Sequence, residues 1–151
     1  MKCGIVRFVW SGVVDRIVAQ TESDSIERFA AYCRRSQSTI AIIVAPIADS
    51  SGFQQFYDEA LRGLLREWWD LDGRSVAAIE KRIRQINATR IELETVRHYT
   101  NRLLGIVPIP DYQFRFDLIR EGFELRNEWN SCEYAWKTET KYGLLAWETT
   151  A

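Results

Sequence analysis

The chain has 151 residues, 46% of them hydrophobic and 27% charged, with a net charge of −1. That length suits a single domain, residues 1–151, able to bury roughly 70% of its unfolded surface, and the composition excludes a disordered or fibrous chain. Near-neutrality excludes an overall field that would draw the molecule onto nucleic acid or anionic lipid, so such binding would need a local patch.

Cys3, Cys33 and Cys132 are odd in number and widely spaced. They fit reduced thiols better than a disulfide framework, and they lack zinc-ligand spacing. Only Lys2 precedes a short apolar run that Arg7 interrupts, without the pattern of a secretory leader. Apolar runs such as Ile40 to Ile47 fall far short of the ~20 residues that span a bilayer. The expectation is a cytoplasmic protein outside the membrane.

In chain order, Gly4 to Trp10 and Val13 to Ala19 are β-branched or aromatic runs around Ser11-Gly12, which predicts a hairpin, with a helix from Ser11 as the competing reading. Thr21 and Asp24 have capping-box spacing, and Ile26, Phe29, Ala30 and Cys33 recur at helical period, so a helix is expected to Arg34-Arg35. Thr39 to Ala45 is a continuous apolar run, the signature of a strand buried on both faces and central in its sheet.

After the loop Asp49-Ser50-Ser51-Gly52, the residues Phe53, Phe56, Tyr57, Ala60, Leu61, Leu64, Leu65 and Trp68 mark one unbroken helical face. Trp69 points off that face on this reading. Beyond Asp72-Gly73, the near-heptad Val76, Ile79, Ile83, Ile86, Leu93 and Val96 predicts helix over Ser75 to Leu104. As one rod it would be about 45 Å long at ~1.5 Å per residue. It therefore either bends near Asn87-Ala88-Thr89 or projects towards a partner.

Nine of the nineteen aromatic residues fall between Tyr112 and Glu148, alternating with charged ones. This predicts an antiparallel meander over about residues 112–148. A turn at Glu121-Gly122 would pair Phe114 with Trp129, Leu118 with Leu125, Asp117 with Arg126 and Arg115 with Glu128. A second turn at Asn130-Ser131 would bring Leu125 opposite Trp136 and Glu124 opposite Lys137, but Glu128 against Glu133. Tyr142 to Glu148 forms a fourth strand.

His98 is the sole histidine, which excludes any two-histidine metal or phosphodiester chemistry. No cofactor or metal motif is present, and no catalytic residue is assigned. Glu67, Asp70 and Asp72 match no calcium loop and read as a solvated helix end. Lys81, Arg82, Arg84, Arg90, Arg97 and Arg102 are spread around the helix without aromatics to stack on bases, which argues against nucleic acid. Trp69, Arg82, Arg90 and Arg97 are the candidate protein contacts.

The turn Ser11-Gly12-Val13-Val14-Asp15, followed by a helix, an apolar strand and Asp49-Ser50-Ser51-Gly52 before another helix, resembles the STAS-domain anti-sigma-factor antagonists. That resemblance implies a phosphorylatable switch with Ser50 as the modified residue.

The combined expectation is an α+β fold: an N-terminal β-hairpin, helix and strand, two consecutive helices, and a C-terminal antiparallel meander. The function expected is non-enzymatic protein binding or regulation, with a homodimer through residues 75–104 as one form. The alternatives are a small-ligand-binding protein or enzyme with a pocket at the aromatic sheet face, the Ser50 switch, and a nucleic-acid binder through the basic helix.

Overall fold

The structure is a computed structural model that describes residues 16–21, 27–33, 37–70, 76–104, 116–128 and 130–149. Three strands, β1 (Arg16–Thr21), β2 (Glu27–Cys33) and β3 (Ser38–Pro46), lead to the helices α1 (Phe53–Asp70) and α2 (Val76–Arg84). A short strand β4 (Thr89–Ile91), a third helix α3 (Leu93–Leu104) and strands β5 (Glu121–Glu128), β6 (Ser131–Lys137) and β7 (Lys141–Thr149) follow. The strands form one antiparallel sheet in the order β1-β2-β3-β7-β6-β5-β4. This is the α+β class expected, with the C-terminal meander β5-β6-β7 closing onto β3.

Each face of the sheet follows from side-chain alternation. Ala45, Leu144, Ala135 and Leu125 turn to one face, where Phe56, Tyr57, Leu61, Leu65 and Trp69 of α1 and Ile79 and Ile83 of α2 cover them. Ala41 and Ala146 extend that face beneath Leu64. At its other end, the Phe53 ring lies 4.9 Å from Phe123 and 5.3 Å from Tyr142, with the Lys137 ammonium 4.8 Å above it.

On the opposite face, Gly122, Trp136 and Gly143 sit side by side across three strands. Both glycines are there for close approach: a Cβ on Gly143 would enter the Trp136 ring, and one on Gly122 would enter Val96 of α3. Phe116 meets the same tryptophan edge-on, with ring centroids 5.6 Å apart.

Several expectations are corrected. Residues 27–33 form a strand, not a helix: Ile26, Phe29, Ala30 and Cys33 have helical spacing, but seven consecutive register partners along β3 satisfy the backbone instead. The expected interior place of the Thr39 to Ala45 strand is observed, with β3 paired to β2 on one side and β7 on the other. The Ser75 to Leu104 stretch is broken, not continuous. Gln85 and Ile86 close α2 with tight bonds to Arg82 and Ile83, and Thr89 to Ile91 pair with β5 before α3 begins.

No turn lies at Glu121-Gly122, because Glu121 opens β5 and Gly122 lies inside it. The strand expected before it gives a single 3-10 turn at Phe116–Leu118, and its Tyr112 to Arg115 portion lies outside the described residues. The β5-β6 pairing is Glu128 with Ser131 and Arg126 with Glu133. It replaces the like-charged Glu128-Glu133 pair of the expected register with opposite charges. The Gly4 to Trp10 arm of the N-terminal hairpin, and the whole Ser11 to Asp15 motif, also lie outside the described residues.

The two helices on the covered face are tied by Arg62 of α1. Its Nε and Nη2 donate to the Glu80 carboxylate of α2 at 2.7 and 3.1 Å. That hydrogen bonding holds the Glu80 carboxyl below its ordinary value of 4.5. A carboxyl lowered in the fold stabilises it fully above the ordinary value, and that contribution is lost as pH falls through the lowered one. The difference in unfolding midpoint between the wild type and Glu80→Gln should therefore be present at neutral pH and shrink in acid, read by urea denaturation.

The two glycine environments give opposite expectations in the same assay. Gly143→Ala should cost about 1–3 kcal/mol by overpacking against Trp136. Gly63→Ala, in open space on α1, should stabilise by about 0.5–1 kcal/mol through helix propensity.

Candidate functional site: a buried ion pair beneath a polar cleft

On α2, Arg82 stands in register with Ile79, Ile83 and Ile86, so the helix turns it inward with its apolar stripe. It is 6% exposed. On β6, Glu133 shares the helix-covered face with Ala135 by alternation, and it is 2% exposed. Arg82 Nη2 and Glu133 Oε2 form an ion pair between helix and sheet.

Two further residues hold the pair. The Trp69 ring of α1 lies 5.2 Å from the Arg82 guanidinium carbon, a cation-π contact. Trp69 Nε1 donates to the Glu148 carboxylate of β7, at 3.3 Å from each oxygen. Four elements thus converge through the series Glu148, Trp69, Arg82 and Glu133.

Beside the pair, β5 carries a bulge between Glu124 and Arg126. The extra residue brings Leu125 and Arg126 onto the helix side in succession, which strict alternation would forbid. Leu125 enters the core. Arg126 Nε donates to Ser131 Oγ at 2.8 Å, and its Nη2 lies 3.5 Å from Glu128 Oε2.

The space between α2 and the β5-β6 hairpin is a cleft of about 260 Å³ lined by Arg82, Gln85, Ile86, Leu125, Arg126, Asn127, Glu128 and Glu133. Its four charged residues cancel, two against two. Glu133 Oε1 accepts no hydrogen bond although it is buried. A carboxylate oxygen in that state costs free energy until a donor reaches it.

Of the candidate contacts read from the sequence, Trp69 and Arg82 are buried, not displayed, and they belong to this one cluster. The expectation that Trp69 leaves the apolar face is corrected by its spacing: it follows Leu65 by four residues and Leu61 by eight, which returns it to that face. Arg90 is exposed on β4, its side chain 68% accessible, with Nη2 3.3 Å from Glu121. Arg97 is exposed on α3. Neither lines the cleft.

Ser50 is half-buried after the 3-10 turn Ile47–Asp49, and its N–H donates to Ile47 O at 3.3 Å. The helix of the STAS-like order is strand β2, so that arrangement is not reproduced. Glu133 escaped the sequence reading. Its signal was a lone acid within the aromatic run Cys132 to Trp136, visible only as a like-charge clash in the wrong register.

Cys132 is buried, and its thiol donates to Glu128 O at 3.8 Å. Among the described residues, no group of three or more His, Cys, Asp and Glu side chains could hold a metal ion, and no helix is long and apolar enough to cross a membrane. No protein-family model, curated protein or solved structure matches the chain.

The buried pair sets its own mutational signature. Glu133→Ala strands the Arg82 charge and should cost about 3–5 kcal/mol. The double replacement Arg82→Met with Glu133→Leu removes both charges and should be neutral or stabilising by up to about 4 kcal/mol. Urea denaturation of the three proteins measures both, and a double variant no more stable than Glu133→Ala would contradict the assignment.

Proposed function

We propose that the chain is a binding protein whose cleft between α2 and the β5-β6 hairpin receives a small polar group, free or carried on a partner protein. The observation that carries this reading is the cleft itself, about 260 Å³ of space in which Gln85, Arg126, Asn127 and Glu128 stand beside the Arg82–Glu133 pair. The bulge in β5 supports it, since it re-aims Arg126 into the same space.

A partner protein would supply the group through a protruding side chain, which keeps protein binding within this reading. The homodimer through residues 75–104 draws less support, because its motive was a long apolar seam. Ile79, Ile83 and Val96 of that seam are buried within the chain.

The test is a titration of the 15N-labelled protein with a panel of small amides, alcohols, amines, guanidines and carboxylates, followed by amide chemical shifts. At least one compound should produce saturable shifts confined to Gln85, Arg126, Asn127 and Glu128. Shifts that are linear in concentration for every compound, or that centre elsewhere, would contradict the proposal.

A further inference from the structure

Resting on that binding site, we infer that the group it receives is a cation, an ammonium or guanidinium that takes Glu128 at the mouth of the cleft and sends Arg126 across to Glu133. The four charges of the cleft cancel by count but not by exposure. The Glu128 side chain is 53% exposed and that of Arg126 27%, whereas Arg82 and Glu133 are 6% and 2% exposed. Glu133 and Asn127 Oδ1 are both buried in the wall, out of a guest's reach. What a guest meets first is therefore the Glu128 carboxylate, with the exposed amide of Gln85 on the α2 side.

Arg126 is the part that moves. Its Nε donates to Ser131 Oγ at 2.8 Å, but its Nη2 stands 3.5 Å from Glu128 Oε2, beyond the ~2.7–3.2 Å of a direct N–H···O bond. Arg126 and Glu133 are register partners across β5 and β6, which sets their Cβ atoms roughly 5 Å apart, well within the span of an arginine. Glu133 is thus served by two arginines, Arg82 from α2 and Arg126 from the neighbouring strand. A guanidinium has five N–H donors, so Arg126 keeps Ser131 through Nε while an Nη turns from Glu128 to Glu133. That handover selects the guest by charge. A cation on Glu128 leaves every charged group of the cleft paired. An anion would take Arg126 and lie beside the exposed Glu128 carboxylate, and a neutral group leaves Arg126 where it is. Ile86 offers apolar wall for the carbon stem of a lysine or arginine.

Cationic groups occur both as free amines and as side chains of a partner protein, and the probes separate these sources. The 15N-labelled protein is titrated at low ionic strength with methylammonium, methylguanidinium, the N-acetyl N-methylamides of lysine and arginine, acetate and acetamide. The cations should give saturable shifts at Gln85, Asn127 and Glu128, roughly tenfold tighter than acetate or acetamide. At saturation the Arg126 Nη signals should resolve and exchange slowly, as for a guanidinium held by a buried carboxylate. Tighter binding of the blocked amino acids than of the bare ions would mark a protein side chain, and the reverse a free amine. Both support the assignment.

Glu128→Gln, a change at an exposed position checked for folding by near-UV circular dichroism, should lose roughly tenfold in cation affinity. It should also show the resolved Arg126 signals with no ligand present. Unchanged cation affinity in that variant would overturn the role of Glu128, and averaged Arg126 Nη signals at cation saturation would overturn the handover. Tighter binding of acetate or acetamide at the same residues would overturn the cation assignment and leave the cleft as a binding site. Saturation by none of the probes would overturn both.

Discussion

Two opposite charges taken out of water between a helix and a sheet constrain everything around them. Removing an ion from water costs several kcal/mol even after relaxation, and only close pairing with further polar contacts offsets it. Arg82 and Glu133 meet part of that demand by geometry. The Trp69 ring contacts the guanidinium, Glu148 fixes that ring through its indole N–H, and Glu133 reaches Arg82 from the adjacent strand of the sheet. The position of α2 on the sheet, the inward turn of Trp69 at the end of α1 and the register of β6 are thereby linked. A shift of any one separates the charges.

That same constraint makes the cleft. A helix held by an arginine as long as Arg82 leaves space beside the pair, and the β5 bulge turns Arg126 towards it while Leu125 fills the core. The result is a polar recess on an apolar layer. Its walls come from three elements whose mutual placement the buried pair fixes, so a guest would meet preorganised groups. Binding energy is then not spent on ordering the site.

Much of the architecture was legible in the sequence. The apolar face of α1, the isoleucine-rich β3, the α+β class and a C-terminal meander follow from periodicity alone. Legibility failed where one residue type serves two structural purposes. Gly122 reads as a turn residue, yet it lies in β5 because Val96 needs the space where its side chain would be. Residues 26–33 satisfy helical and strand patterns alike, and only pairing with β3 decides. The heptad from Val76 to Val96 is real spacing, but Ile79, Ile83 and Val96 pack within the chain, Val76 is exposed, and the helix breaks between them. The site was half visible: Trp69 and Arg82 were singled out as protein contacts, and so expected at the surface. Their true setting depends on Glu133, which gains its meaning only from a bulged register that local sequence does not encode.

The arginine side chain itself offers the most direct measurement. In nitrogen-15 NMR spectra, the guanidinium of a freely rotating arginine gives averaged Nη signals, whereas one locked by a carboxylate gives separate, slowly exchanging ones. Arg82 is predicted to show resolved Nη resonances that are protected from solvent exchange and that collapse in Glu133→Gln. Averaged, unprotected Nη signals for Arg82 in the wild-type protein would contradict a buried pair with Glu133, and with it the cleft built around it.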